Sequence, residues 1–195
     1  MNRSVVLSLG LCVVIVLAIP STVAAQTSFA VDKGSVGISG MASIGLADGE
    51  LYEDLAGDPL ISLSLQPSIF YFVMPNLAIG GDLMFEYEAQ GDDSASMYGI
   101  GPGILYAFGS SKSTIYPYVG AGFSYVIYKN GLDITGTQIK LGGGLFILPA
   151  AQQHLGLRLE AGVTFDGLKP DWPGAETTNG TTFGISVGLV GFIFR

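Results

Sequence analysis

The sequence predicts an all-β fold, an eight-stranded antiparallel up-and-down transmembrane β-barrel. Three observations support it: eight successive segments alternate apolar and polar residues, turn residues separate these segments, and the whole chain is unusually apolar. A period of two places one residue set on each face of a β-strand. One face is apolar over its whole length, and the other carries glycine, serine and carboxylates. Strands that separate lipid from a polar interior have this pattern.

The composition favours a membrane protein over a soluble one. The mean hydropathy is +0.51, and only 12% of the residues are charged, whereas soluble domains average about 25%. A soluble barrel would turn its polar face to water, but glycine and serine with few charges make a poor solvent surface. The net charge of −8, without a basic stripe in the sequence, excludes a nucleic-acid partner.

The first 25 residues have the features of a cleaved signal peptide. Arg3 supplies a positive start, an apolar run covers positions 5–19, and small residues precede position 26. We therefore predict a signal peptide over residues 1–25 and an outer-membrane β-barrel domain over residues 26–195. The single cysteine, Cys12, lies in the signal peptide, so the mature domain has no thiol and no disulfide.

The first four strands follow from apolar tracks that face lipid. They are predicted over about Ser35–Leu46, Pro59–Val73, Leu77–Ala89 and Ser96–Phe108, with Met74-Pro75-Asn76 as the turn between the second and third. The tracks contain Val36, Ile38, Ala42, Ile44 and Leu46; Ile61, Leu63, Leu65, Ile69, Tyr71 and Val73; Leu77, Ile79, Leu83, Phe85 and Tyr87; and Tyr98, Ile100, Ile104, Tyr106 and Phe108.

The last four strands show the same alternation. They are predicted over about Ile115–Lys129, Gly136–Leu148, His154–Asp166 and Thr181–Phe194. Their outward tracks contain Val119, Ala121, Phe123, Tyr125 and Ile127; Ile139, Leu141, Leu145 and Ile147; Leu155, Leu157, Leu159, Ala161, Val163 and Phe165; and Phe183, Ile185, Val187 and Leu189.

Two prolines conflict with this pattern. Pro67 and Pro102 fall inside predicted strands, where each lacks the backbone N–H that a ladder needs. A closed barrel has no free edge to accommodate them, so we expect them at bulges or near the rims.

The connections are predicted to alternate between long outer loops and short periplasmic turns. The long ones are 47–58, 90–95, 130–135 and 167–180, and the short ones are 74–76, 109–114 and 149–153. Carboxylates concentrate in the long loops, and we expect this acidic outer rim to offer contacts to a surface partner. They are Asp48, Glu50, Glu53, Asp54, Asp58, Asp92, Asp93, Asp171 and Glu176.

Aromatic residues are predicted to form two girdles at the headgroup zones of the membrane, where amphipathic rings are favoured. The outer girdle contains Phe85, Tyr87, Tyr98, Tyr125, Phe165 and Phe183, and the periplasmic girdle contains Tyr71, Tyr106 and Phe108.

Three segments resemble the small outer-membrane β-barrel proteins of the OmpA/OmpX type. They are Tyr71–Gly80 (YFVMPNLAIG), Pro117–Tyr125 (PYVGAGFSY) and Gly184–Phe194 (GISVGLVGFIF). The resemblance spans essentially the whole mature chain and implies a Gram-negative outer membrane, with outer-membrane lipid, lipopolysaccharide and the barrel-assembly machinery as partners. Such barrels serve as adhesins, stabilisers, narrow channels or enzymes, so fold alone does not assign the role.

The C-terminus departs from that group, in which phenylalanine is usually the last residue. Here Arg195 follows Phe194. The alternation leaves open whether the strand shifts by one near Gly191, which would turn Phe194 to lipid, or stays in register, which would turn Ile193 to lipid.

The candidate functional site is a polar network in the lumen. Charged residues on the inward tracks must pair or stay hydrated, and an eight-stranded barrel has an interior barely wide enough for side chains. We therefore expect a plug in which Lys140 and Arg158 face Glu86 and Glu160, with a porin-like ion path as the alternative. The predicted network contains Asp82, Glu86, Glu88, Lys140, Arg158 and Glu160.

The sequence offers little for catalysis. His154 is the only histidine and is placed at the periplasmic rim, without a serine near it in sequence, whereas nucleophilic catalysis needs a base beside a nucleophile. We expect a non-enzymatic protein with a structural or surface-interaction role, and no catalytic, cofactor or metal residues. A narrow channel ranks second and a lipid-modifying enzyme third.

Overall fold

A computed structural model of the chain is a closed barrel of eight strands. It describes residues 29–48, 60–90, 93–129, 133–149, 154–170 and 174–194, so the predicted signal peptide lies outside the described residues. The strands are β1 Val36–Asp48, β2 Leu60–Met74, β3 Leu77–Gln90, β4 Asp93–Ala107, β5 Ile115–Lys129, β6 Asp133–Ile147, β7 Leu155–Pro170 and β8 Thr178–Ile193.

Each strand pairs antiparallel with its neighbours in sequence, and β8 returns to pair with β1, from Val36↔Ile193 to Asp48↔Thr181. The predicted all-β, up-and-down fold is therefore confirmed. Closure leaves no strand edge unpaired, which a hydrocarbon environment requires. None of the described residues forms a helix long and apolar enough to cross a membrane. We keep the predicted orientation, in which the two described ends of the chain lie at the periplasmic end.

The side chains alternate between the two faces as predicted. Ile185 is 73% exposed, whereas the next residue, Ser186, is 7% exposed. Every aromatic residue assigned to the two girdles lies on the outer face. Neighbouring girdle rings contact each other edge to face, with centroids 6.1 Å apart for Phe85 and Tyr98 and 5.0 Å for Tyr106 and Phe108. The apolar residues therefore cover the outside of the cylinder, where lipid contacts them.

The C-terminal strand stays in register to its end. Ile193 is exposed on the outer face, Phe192 is 2% exposed inside, and Phe194 packs against the inner cluster. Pairing with β1 runs without a shift past Gly191. The sequence left two arrangements open, and the structure has the one in which both phenylalanine rings turn inward.

The two strand prolines lie neither at a bulge nor at a rim, so that expectation is wrong. On the β3 side of Pro67 the pairing stops for two residues and resumes in the same register, and Pro102 has the same effect on pairing with β5. On the other side, Pro67 still pairs with Gly40 of β1, and Pro102 still pairs with Gly81 of β3. Because proline lacks an N–H, one side of the ladder opens locally, and no extra residue is inserted.

The predicted contrast between long outer loops and short turns is also wrong in part. At the outer end, the connections 91–92 and 130–132 are short, because β3, β4 and β6 continue into polar sequence. Ladder pairing uses backbone groups, so strands extend beyond the last apolar residue. The connection 49–59 is the longest, whereas the connection predicted as the longest, 167–180, is shortened to 171–177. The acidic residues Glu50, Glu53, Asp54, Asp58, Asp92 and Asp171 lie outside the described residues.

Substitution of Ile185 by arginine tests which face meets lipid. Ile185 lies halfway along β8 on the outer face, and an arginine at the bilayer midplane costs about 2–4 kcal/mol. We expect Ile185→Arg to lower the free energy of unfolding by that amount, measured by denaturant titration in lipid vesicles with gel mobility as the readout. The matched control is Asn179→Arg, on the same face near the outer end, with a cost of about 0–1 kcal/mol. Equal stability of the two variants would contradict a lipid-facing Ile185.

Candidate functional site

The periplasmic half of the lumen is filled by rings, which we call the aromatic plug. Its members are between 0% and 6% exposed and come from four different strands. Phe146 lies at its centre, stacked on Phe70 at 5.8 Å and on Tyr118 at 4.4 Å, with Phe192 edge-on at 5.4 Å. The plug consists of Phe70, Phe72, Tyr118, Phe146 and Phe192.

Sequence analysis did not identify this plug. Phe70 and Phe72 continue the inward track of β2 below Ser68, so their positions followed from the alternation. The polar residues of that track led us to expect a polar lumen, so the inward phenylalanines were not included in the predicted site.

A short segment before β1 packs against the end of the plug, and we call residues Phe29–Ser35 the N-terminal strap. The N–H of Gly34 donates to the carbonyl of Phe72 at 2.8 Å, and the N–H of Asn76 donates to the carbonyl of Val31 at 2.8 Å. Ala30 and Val31 are fully buried against the plug. Gly34 has φ 91°, a conformation that glycine adopts without strain. The strap is therefore tied to the β2–β3 turn.

Above the plug, the carboxylate of Glu160 contacts two cationic side chains and one phenol hydroxyl. Its Oε1 lies 2.6 Å from Nζ of Lys140, and its Oε2 lies 2.5 Å from a guanidinium nitrogen of Arg158. The hydroxyl of Tyr118 donates to the same Oε2 at 2.7 Å. Arg158 and Glu160 are both buried, and each charge has an opposite charge beside it, as buried ions require.

Arg158 links this ionic group to the plug. Its Nε donates to the hydroxyl of Tyr118 at 2.8 Å, and a second nitrogen donates to Oγ of Ser68 at 3.1 Å. The guanidinium also lies 5.2 Å from the ring centroid of Tyr118 and 5.7 Å from that of Phe146. Arginine combines a fork of donors with stacking on aromatic faces, so one side chain is bound on both its edge and its flat surface.

Lys140 extends the group across the lumen. Its Nζ donates to Oε1 of Gln66 at 2.9 Å, and Nε2 of Gln66 donates to Oδ2 of Asp82 at 2.7 Å. The chain of contacts thus joins β7, β6, β2 and β3. Gln66 was missed by sequence analysis because it carries no charge, although it lies on the predicted inward track. We call Gln66, Asp82, Lys140, Arg158 and Glu160 the lumen network.

The other two predicted site residues lie nearer the outer end. Glu86 lines the same cavity as Lys140 and Glu160. Glu88 is on the inward track of β3, and its side chain lies outside the described part of the chain. The bonds described for Arg158 are those to Glu160, Tyr118 and Ser68.

The lumen network separates two small cavities. The periplasmic one has a volume of about 80 Å³ and reaches Phe70 and Arg158. The outer one has a volume of about 90 Å³ and is lined by hydroxyls such as those of Ser64 and Thr182. Four network residues line both cavities, namely Gln66, Asp82, Lys140 and Glu160. Buried Met97, Val126 and Leu168 form a second apolar cluster at the outer end. The described side chains thus divide the lumen and narrow both ends.

His154 lies just before β7, at the end of the barrel to which we assign the periplasmic side. Its Nδ1 is 3.0 Å from the carbonyl oxygen of Phe192, and its ring stacks on Phe194 at 4.3 Å. The N–H of Phe192 donates to the carbonyl of His154 at 2.7 Å. Among the described residues no hydrogen bond links His154 to a serine or carboxylate, and no group of histidine and carboxylate side chains is arranged to hold a metal. These contacts with Phe192 and Phe194 hold the end of β8 in place.

Replacement of Glu160 tests the lumen network. Glu160→Gln removes the carboxylate that Lys140 and Arg158 share, and loss of one partner from a buried ion pair costs about 3–5 kcal/mol. We expect a loss of that size in the free energy of unfolding. The control is Asp82→Asn, which keeps an acceptor for Gln66 and should cost about 1 kcal/mol or less. Equal small losses in both variants would show that the buried cations do not depend on Glu160.

Comparisons with known proteins agree with this architecture. No protein-family model and no curated protein matches the chain. Among solved structures, Neisserial surface protein A (NspA) is 21% identical, with a TM-score of 0.58 over 82% of this chain and 99% of that one. The outer membrane enzyme PagL is 14% identical, with a TM-score of 0.54 over 77% and 97%. The outer membrane protein OprG of Pseudomonas aeruginosa is 12% identical, with a TM-score of 0.51 over 84% and 98%.

At these identities the likeness concerns the fold. OprG and PagL are outer-membrane proteins, and PagL is an enzyme. The closed sheet and the apolar outer surface fit the same membrane. The chain has the fold of the small eight-stranded outer-membrane β-barrels.

Proposed function

We propose that this chain is a non-enzymatic outer-membrane barrel with a closed lumen, and that its role is structural support of the membrane and contact at its surface. The observation that carries the proposal is the stack of three barriers inside the cylinder. The N-terminal strap covers the periplasmic mouth, the aromatic plug fills the space above it, and the lumen network crosses the middle. An interior of this kind adds rigidity without leaving a path.

A narrow channel is the alternative. The two cavities supply polar surface on both sides of the lumen network, and a conducting pore needs such groups in a continuous line. The plug interrupts that line with apolar rings, of which Phe72 and Phe146 are fully buried. Apolar constrictions exclude water and ions by dewetting, which supports the closed state.

A lipid-modifying enzyme is the third candidate, and the likeness to PagL keeps it relevant. Hydrolysis by a serine or similar group needs a base held within hydrogen-bond reach of it. The only histidine in the sequence is His154, and its described contacts are with Phe192 and Phe194. These contacts support a role in holding the C-terminal strand.

The partners follow from the proposed location. Outer-membrane lipid and lipopolysaccharide contact the apolar outer face, and the barrel-assembly machinery inserts the chain. The acidic outer connections, with exposed Glu176 among their described residues, offer carboxylates to a cationic partner or to bridging cations.

Single-channel recording in planar bilayers tests the closed lumen. We expect no steady conductance from the wild-type protein, and rare, brief openings after Phe70→Ala and Phe146→Ala are combined, because this change empties the centre of the plug and leaves the strap and the lumen network as barriers. The control combines Phe123→Ala and Phe165→Ala on the outer face, which should leave the barrel closed. Steady, sizeable wild-type conductance that is lost in Glu86→Gln would overturn the proposal in favour of an ion path.

Cysteine labelling tests the strap, since the predicted mature domain has no native cysteine. Val31 is 0% exposed and Lys33 is exposed. We expect a membrane-impermeant maleimide to react with Val31→Cys at least about tenfold more slowly than with Lys33→Cys, because a local opening free energy of about 1.4 kcal/mol already gives that ratio. Equal labelling rates would mean that the strap does not cover the mouth.

A further inference from the structure

Pro67 and Pro102 each remove a hydrogen-bond donor from the barrel wall. The flanking pairs place Leu83 of β3 opposite Pro67 and Phe123 of β5 opposite Pro102. In an antiparallel ladder, a hydrogen-bonded pair exchanges two bonds, each from an N–H to the opposite carbonyl. A proline in such a pair keeps its carbonyl and has no N–H to give. One carbonyl of the opposite strand therefore depends on a donor that the proline does not have.

The extent of each gap shows which carbonyls are affected. Pairing is lost for the proline and for the residue before it, and it is kept for the residue after it. This pattern arises when the proline nitrogen points to the interrupted neighbour, and the intact pairing on the other side of each proline agrees with it. The carbonyls of Leu83 and Phe123 consequently have no ladder donor.

Such carbonyls need a donor from elsewhere. Backbone carbonyls away from bulk water almost always have one, and lipid tails offer none. The side-chain amides nearest in the pairing are engaged: Nε2 of Gln66 donates to Asp82 at 2.7 Å, and Nε2 of Gln138 donates to Sδ of Met97 at 3.6 Å. A small donor held in the lumen is the remaining source.

Both carbonyls lie beside the outer cavity of the lumen. Its volume of about 90 Å³ has room for about three water molecules. The carbonyl oxygen of Phe123 lies at the inner face of the wall, because a Cβ on inward-facing Gly101 would collide with it. The cavity borders both gaps in the ladder, since it is lined by the inward residues that flank Leu83 and Phe123 in sequence, namely Asp82, Met84, Gly122 and Ser124.

A second place in the wall separates the effect of curvature from the effect of proline. A Cβ on inward-facing Gly80 would collide with the carbonyl oxygen of Ile69. This oxygen lies at the inner face like that of Phe123, but Ile69 keeps its pairing with Gly81, which has an N–H. The inner position of such oxygens therefore comes from the curved wall, and only the missing donor comes from proline.

From these observations we propose that the carbonyls of Leu83 and Phe123 each bind a structural water molecule of the outer cavity, which donates the hydrogen bond that proline lacks. A buried water makes about three hydrogen bonds. The carboxylate of Asp82 and the hydroxyl of Ser124 are further partners on the cavity wall, beside the first and the second site respectively. The two sites lie on either side of the β3–β4 hairpin, whose own pairing is continuous. They belong to the wall, and they do not depend on whether the lumen conducts ions.

Solid-state NMR of the full mature protein in lipid bilayers tests these sites. Magnetisation is transferred from water protons to carbonyl carbons labelled in leucine and phenylalanine. We expect the carbonyls of Leu83 and Phe123 to receive it faster than those of Phe85 and Leu141, which keep their ladder partners. Phe85 is a strict control, because it lies nearer to the outer end of the barrel than Leu83.

Two alanine variants act as controls for each other, because alanine restores the N–H of the ladder. Pro67→Ala should abolish the fast transfer at Leu83 and leave that at Phe123, and Pro102→Ala should do the reverse. Each variant should change the folding equilibrium constant by less than about tenfold, since a bridging water is nearly as good as a direct bond and alanine frees the unfolded chain. The wild-type measurement decides the proposal if either variant does not fold.

Three results would overturn the water sites. Transfer from water at Leu83 and Phe123 that is no faster than at the control carbonyls would remove the bound water. Fast transfer from acyl-chain protons in place of water would show that these carbonyls face lipid. A gain of about thirtyfold or more in the folding equilibrium constant of either alanine variant would show a carbonyl that has no donor in the wild type.

Discussion

The peptide groups of this chain have no water to bond with once they lie in hydrocarbon, and this constraint governs the whole structure. Only closure of the sheet satisfies it, which the continuous pairing of β8 with β1 achieves. A cylinder closed with eight strands has a narrow interior. The contents of the lumen are a consequence of that small diameter, because side chains of ordinary size already fill it.

Glycine makes this filling possible. A Cβ on Gly37 would collide with the ring of Phe70, and one on Gly144 would meet the backbone of Leu159 and the hydroxyl of Tyr118. The rings of the aromatic plug thus occupy space that the opposite inward positions leave empty. Read as sequence, the glycine-rich inner face suggests an empty lumen. In the structure, the glycines leave the space that a few large inward residues fill.

The alternation of residue types predicted the strand number, the order, the lipid face and both girdles, because a period of two is visible without tertiary context. It also predicted the inward direction of Lys140, Arg158 and Glu160. It did not reveal the strap, whose residues show no alternation, or the neutral links Gln66 and Ser68, whose importance depends on contacts between strands distant in sequence. Strand ends were misplaced where pairing continues through polar residues.

The strap has a consequence for the order of assembly. Its backbone partners belong to the hairpin of β2 and β3, and the apolar surface that buries Ala30 and Val31 includes Phe192 of the last strand. The docking surface is therefore complete only after the final strand has joined the first.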